Sequence, residues 1–104
     1  MKLNAVSLTQ RLLAFHTVNP PGDERDCARC LGGLLEEAGF KTDYYEFVER
    51  RTTLVARLLG GGEKLSICFT GHLDTVPLGT AAWSRDAFAG KSMATSFSAA
   101  ALRT

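Results

Sequence analysis

The chain has little of what marks an exported, membrane or nucleic-acid-binding protein. No apolar run approaches the roughly 20 residues that span a bilayer. The N-terminus, MKLNAVSLTQRLLAFH, carries one lysine before its apolar residues, but Asn4, Ser7, Thr9, Gln10 and Arg11 interrupt them. That is a helical pattern, not the unbroken apolar centre of a signal peptide, so a cytoplasmic location is expected. Lysine and arginine number 12 against 11 acidic residues, leaving a net charge of +1 with no basic cluster. The electrostatic footprint of a nucleic-acid binder is therefore lacking, and neither nucleic acid nor membrane is an expected partner. Internal repeats are absent.

Cysteine is scarce and odd in number: Cys27, Cys30 and Cys68. Without an export signal, this excludes a disulfide scaffold. Cys27-x-x-Cys30 has the spacing of half a zinc or redox site, but no second pair or nearby histidine completes four ligands. Both fall on the apolar stripe of a helix, where a small buried hydrophobe is the expected role. At 104 residues the chain forms at most one small domain, able to bury about two thirds of its unfolded surface.

What is present reads as helices followed by strands. Leu8, Leu12 and Phe15, with Leu13 widening their face, predict a first helix that stops near Val18, before the turn Asn19-Pro20-Pro21-Gly22. A second helix follows Gly22. Cys27, Cys30, Leu31, Leu34, Leu35 and Ala38 form its apolar face, Asp23, Glu24 and Asp26 suit its positive end, and Gly39 supplies a left-handed stop. Gly32 and Gly33 each cost about 1 kcal/mol inside a helix relative to alanine, which implies close packing there. Strand signals come next at residues 40–48 and 52–59. The run Gly60-Gly61-Gly62 lacks the lysine and following helix of a phosphate loop, so it predicts a hairpin turn into a third, fully covered strand at 65–70, LSICFT. The fold class is α/β: helix, helix, then three strands.

The candidate site follows that last run, in FTGHLDTVPLG. Functional groups of α/β sheets gather at strand ends, where loops aim side chains into a crevice. His72 can supply a neutral nitrogen to a metal, and Asp74 can hold the ring or its metal. Gly71 removes bulk beside the histidine, and Pro77 sets the exit turn. His-x-Asp alone is equally the pattern of an ordinary hydrogen-bonded histidine.

The text around it resembles the zinc amidohydrolase and peptidase family of acetylornithine deacetylase, succinyl-diaminopimelate desuccinylase, aminoacylase and the glutamate carboxypeptidases. HTVNPPGDE is similar to that family's entry turn and RTTLVARL to its second strand. GHLDTVPLG resembles its first metal motif, and WSRDAFAG the stretch that follows. Thr53 and Ala87 depart from the family's usual asparagine and proline. The resemblance implies a fold that is the N-terminal part of a zinc-peptidase-like catalytic domain, incomplete, with its strands in a mixed sheet. It implies His72 as a metal ligand and Asp74 as the catalytic carboxylate that orients it. It also implies two Zn2+ ions per site in full-length relatives, with Co2+ as a substitute, a substrate that is an N-acyl amino acid or short peptide, and a homodimer of the full-length relative. Later ligands and a glutamate base of that family have no counterpart here. His16 matches no ligand and Glu36-Glu37 reads as a solvated face, so stable metal binding and activity are not expected of this chain.

Residues 1–90 are thus expected to form the catalytic-domain portion, and the Ser/Ala/Thr-rich residues 91–104 a disordered tail. One base inserted after the Lys91 codon lets suitable codons for the tail be read as IDGDKLFGRGASDM, which resembles the family's continuation. Met93 followed by Ala94 forces the shifted glycine whatever codon alanine uses. A single-base deletion or sequencing error near Lys91-Ser92 is therefore expected. Two other readings compete: a short non-catalytic binding or dimerisation module, and an enzyme assembled from two separately encoded pieces.

Overall fold

The structure is a computed structural model that describes residues 4–80, 82, 86, 91–93 and 96–98. Two helices, α1 (Ala5–Leu13) and α2 (Arg25–Glu37), precede an antiparallel hairpin of β1 (Lys41–Val48) and β2 (Arg51–Arg57). A short second hairpin joins β3 (Lys91–Met93) to β4 (Ser96–Ser98). The rest of the expected tail, and most of the stretch 83–90, lie outside the described residues. The α/β class and the order of two helices before strands are as the sequence implies.

Asn4 caps α1, its Oδ1 accepting from the Ser7 N–H at 2.8 Å while Ser7 Oγ accepts from the Asn4 N–H at 3.1 Å. This reciprocal box satisfies two otherwise free donors. The helix ends at Leu13, five residues before the expected Val18. Thr17, Val18 and Asn19 instead pair with residues 73–75 as extended chain, and a residue cannot serve a helix and that pairing together.

Helix α2 stops as expected at Gly39, whose φ is +99°. The Phe40 N–H donates to the Leu35 carbonyl and the Gly39 N–H to that of Glu36, a paired closure of the last turn. The helix lies on the hairpin with Cys27, Ala28 and Gly32 buried. Gly32 is where Tyr44 of β1 arrives: a Cβ there would stand 2.0 Å from the tyrosine hydroxyl. Gly33, where close packing is also expected, instead has open space around it, since no hairpin side chain reaches that position. The Arg29 guanidinium closes over the Tyr44 ring, 4.6 Å from its centre, and holds the ring in place. Glu36 and Glu37 are exposed as expected, and Glu36 accepts from the Thr42 hydroxyl.

The β1–β2 turn grips the start of α2. Arg50, at φ +64°, is the described non-glycine residue with a left-handed backbone, a conformation that crowds any Cβ. Its carbonyl accepts from the N–H groups of Glu24 and Arg25 at 2.9 and 3.1 Å, two donors that a helix start otherwise leaves unpaired. Its guanidinium pairs with Asp23 at 2.7 Å and Asp26 at 3.0 Å. Farther along, Arg25 holds Glu46 in a two-pronged pair. That pair, aided by the Thr52 hydroxyl, lowers the Glu46 carboxyl to about 2.

The predicted third strand does not form. Residues 65–70 join no strand, and Gly60-Gly61-Gly62 therefore does not turn a hairpin. LSICFT has the composition of a strand covered on both faces, and among the described residues nothing covers it. Leu65 is 99% exposed, with Leu59, Ile67 and Phe69 exposed beside it. The apolar core of the described residues is correspondingly thin, consisting of Cys27 and Ala28. Burial pushes the Cys27 thiol up to about 11, as expected of an inert core cysteine. Cys30 is half-buried and Cys68 is exposed.

Two expectations follow for urea denaturation read by circular dichroism. Gly33→Ala gains helix propensity and stabilises by up to about 1 kcal/mol. Gly32→Ala unfolds at lower urea than Gly33→Ala, because its methyl displaces Tyr44; equal midpoints would refute the close contact. At the turn, Arg50→Gly and Arg50→Ala lose the same ion pairs, but only glycine relieves the left-handed backbone. Arg50→Ala therefore unfolds at the lower urea concentration, and the reverse order would remove the turn from this account.

Candidate functional site

Residues 72–75 are seated by the segment that leaves α1. The Asn19 N–H donates to the Thr75 carbonyl at 2.8 Å and the Thr75 N–H to the Thr17 carbonyl at 3.0 Å. These bonds make a short parallel pairing centred on Val18 and Thr75. The Thr17 hydroxyl donates to the Leu73 carbonyl at 2.7 Å, with Thr17 buried. Local propensity does not specify this; 56 residues separate Thr17 from Leu73.

On this support His72 and Asp74 come together as their spacing allows. His72 Nδ1 lies 2.9 Å from both the carbonyl oxygen and Oδ1 of Asp74. Both neighbours can only accept, so Nδ1 carries the proton and donates. In the neutral ring Nε2 then holds the lone pair, and the side chain is 83% exposed. The Asp74 carbonyl, then its carboxylate, raises the His72 pKa above the ordinary histidine value. Asp74 is shifted the other way: the Asn19 amide, then His72 and Arg51, hold its carboxyl below the usual range.

The second carboxylate oxygen of Asp74 faces inward. Asn19 Nδ2 donates to Oδ2 at 2.9 Å, and Arg51 Nη2 lies 3.5 Å away. Arg51 Nε points to the buried carboxylate of Glu24, 3.2 and 3.3 Å from its two oxygens. Gly22, at φ +81°, makes room for this guanidinium, since a Cβ there would stand 2.3 Å from Nε. The sequence assigned Glu24 to the helix dipole and gave Asn19 and Arg51 no role. Asn19 reads there as turn chemistry and Arg51 as the start of a strand, and nothing local shows their convergence on Asp74.

A cleft of about 490 Å³ opens beside the pair, between α2, β2 and residues 69–74. Leu31, Leu35, Leu54 and Phe69 supply apolar wall, while Arg51 and Asp74 supply charge. His16 is exposed and does not line it. Among the described residues no group of three His, Cys, Asp or Glu side chains is placed to hold a metal ion. The arrangement offers one exposed imidazole with an anchored carboxylate behind its Nδ1. Among the described residues no helix is long and apolar enough to cross a membrane.

No protein-family model and no solved structure matches the chain. Curated proteins do. The chain is 33% identical over 89 residues to the succinyl-diaminopimelate desuccinylase of Wolbachia pipientis subsp. Culex pipiens (strain wPip), covering 85% of this chain and 21% of the relative. It is 39% identical over 95 residues to the enzyme of that name from Rhodopseudomonas palustris (strain HaA2), covering 86% and 23%. For Wolbachia sp. subsp. Brugia malayi (strain TRS) the match is 34% over 92 residues, 85% and 22%. The chain spans about a fifth of the length of these relatives. Relatives at this identity across most of the chain carry the resemblance drawn from HTVNPPGDE and GHLDTVPLG, and the chain belongs to the zinc amidohydrolase and peptidase family that includes succinyl-diaminopimelate desuccinylase.

Proposed function

We propose that this chain is the N-terminal portion of the catalytic domain of a metal-dependent amide hydrolase acting on N-acyl amino acids or short peptides. The observation that carries the reading is the imidazole of His72 held at Nδ1 by Asp74. His72 keeps its proton on Nδ1, against Asp74, and leaves Nε2 as the donor, which is how a neutral histidine ligand is prepared. Under this reading His72 is one metal ligand and Asp74 the carboxylate that orients it. Zinc, or cobalt in its place, suits an imidazole donor. The residues fit one ligand position and stop there, since the described residues hold no three-donor group. When bound, such a metal polarises the scissile carbonyl as a Lewis acid. This chain's own part is to hold the Nδ1 proton and leave Nε2 with its lone pair on a ring that borders the cleft.

The names of the relatives point to a succinylated amino acid as the substrate type. The longer protein is proposed to be a cytoplasmic homodimer. By itself this chain is proposed to be inactive. Catalysis by such a set is cooperative, and losing members costs many orders of magnitude in rate. Residues 1–90 are the catalytic portion in this proposal, and residues 91–104 are out-of-frame text left by a single-base deletion or a sequencing error near Lys91-Ser92.

Two measurements test the reading. The purified chain, supplied with zinc and offered N-succinyl and N-acetyl amino acids, is expected to show no hydrolysis above the buffer rate. Turnover abolished by His72→Ala would overturn the claim of inactivity. Sequencing the gene from the Trp83 codon past Thr104 is expected to give GRGASDM in the neighbouring frame, followed by glutamate and histidine codons of the same enzyme. If no such frame exists, the deletion is rejected and a short non-catalytic binding or dimerisation module becomes the better account.

A further inference from the structure

Asp74 can orient His72 only if it is itself held. A carboxylate rotates about its last bond and, tethered at one oxygen, can swing toward any competing donor. Here its second oxygen is held by two side chains from different parts of the fold. Asn19 Nδ2 donates to Oδ2 at 2.9 Å, and Asn19 is anchored to the same stretch of chain by its own N–H on the Thr75 carbonyl. Arg51 Nη2 stands 3.5 Å from Oδ2, and its Nε is taken up by Glu24, whose side chain is 9% exposed. With Glu24 holding one side of the guanidinium and Gly22 leaving it space, Arg51 presents its far edge to Asp74 and is not free to draw the carboxylate away.

We propose that Asn19 and Arg51 are positioning residues for His72: by fixing Oδ2 of Asp74 they keep Oδ1 on the imidazole, where it joins the Asp74 carbonyl in holding the proton on Nδ1. The value of this arrangement to a metal rests on the function proposed above, but the juxtaposition does not. Arg51 must be an arginine in this account, because its planar fork meets two carboxylates with different nitrogens, as a lysine point charge cannot. Asn19 acts as a neutral donor, which ties down the carboxylate without competing for His72.

The test reads which ring nitrogen is protonated. The whole chain, labelled with 15N, is held at about pH 9, where an imidazole is neutral, and long-range proton–nitrogen correlations of His72 are recorded. The unsubstituted chain is expected to show the proton on Nδ1. In Asn19→Leu, which keeps the shape and loses the donor, and in Arg51→Lys, the Nδ1 preference is expected to weaken, the Asp74 carbonyl remaining as the one fixed acceptor, while the amide signals of residues 19 and 75 stay in place. An unchanged preference in both variants, or no preference in the parent chain, overturns the proposal. Loss of those amide signals overturns it too, since the two residues would then be holding the fold and not the carboxylate. Zinc ion is then added to the parent chain. A shift of Nε2 supports the ligand reading, and no shift rejects that reading while leaving the tautomer result to decide the positioning claim alone.

Discussion

The interaction on which the rest depends is the hold of Arg50 on the start of α2. One residue satisfies two helix donors with its carbonyl and two acidic side chains with its guanidinium. The ion pairs are partly exposed and contribute little alone. The backbone bonds matter more, because they set the helix end against the hairpin turn and leave neither free to slide. Arg51 follows directly, so the same contact delivers its side chain to Glu24 and on to Asp74. The site is the far end of a chain of constraints that begins at a turn.

That chain of constraints lies within a thin structure. Among the described residues the helix packed on the hairpin is α2, and Leu58, Leu59, Leu65, Ile67 and Phe69 are exposed. Exposed apolar surface of this extent is uncommon on a self-sufficient domain. The chain spans about a fifth of the length of its relatives. The polar network around Asp74 is nevertheless in place, because its members come from the entry turn, β2 and the segment beside them, all within the described residues.

Much of the fold was legible in the residues. Spacing of Leu, Cys and Ala marked α2, Gly39 marked its end, and the aromatic and β-branched runs marked β1 and β2. The two helical glycines imply close packing at Gly32 and Gly33 alike, and only Gly32 has it, against Tyr44. The misses have a common cause. Helix α1 looked longer because its periodicity continues past Leu13, but pairing with residues 73–75 claims that stretch. LSICFT looked like a strand because it is apolar enough, but a strand is made by its neighbours, and composition does not supply them.

The sequence by itself determined the residue types at the site, their two-residue spacing and the family they belong to, because those are properties of adjacent letters. It determined the inertness expected of Cys27 and the solvated Glu36-Glu37 as well. Only the tertiary structure decided what holds Asp74. That answer depends on Asn19 and Arg51, 55 and 23 positions away, whose side chains meet the carboxylate only once the entry turn and β2 have been packed around it.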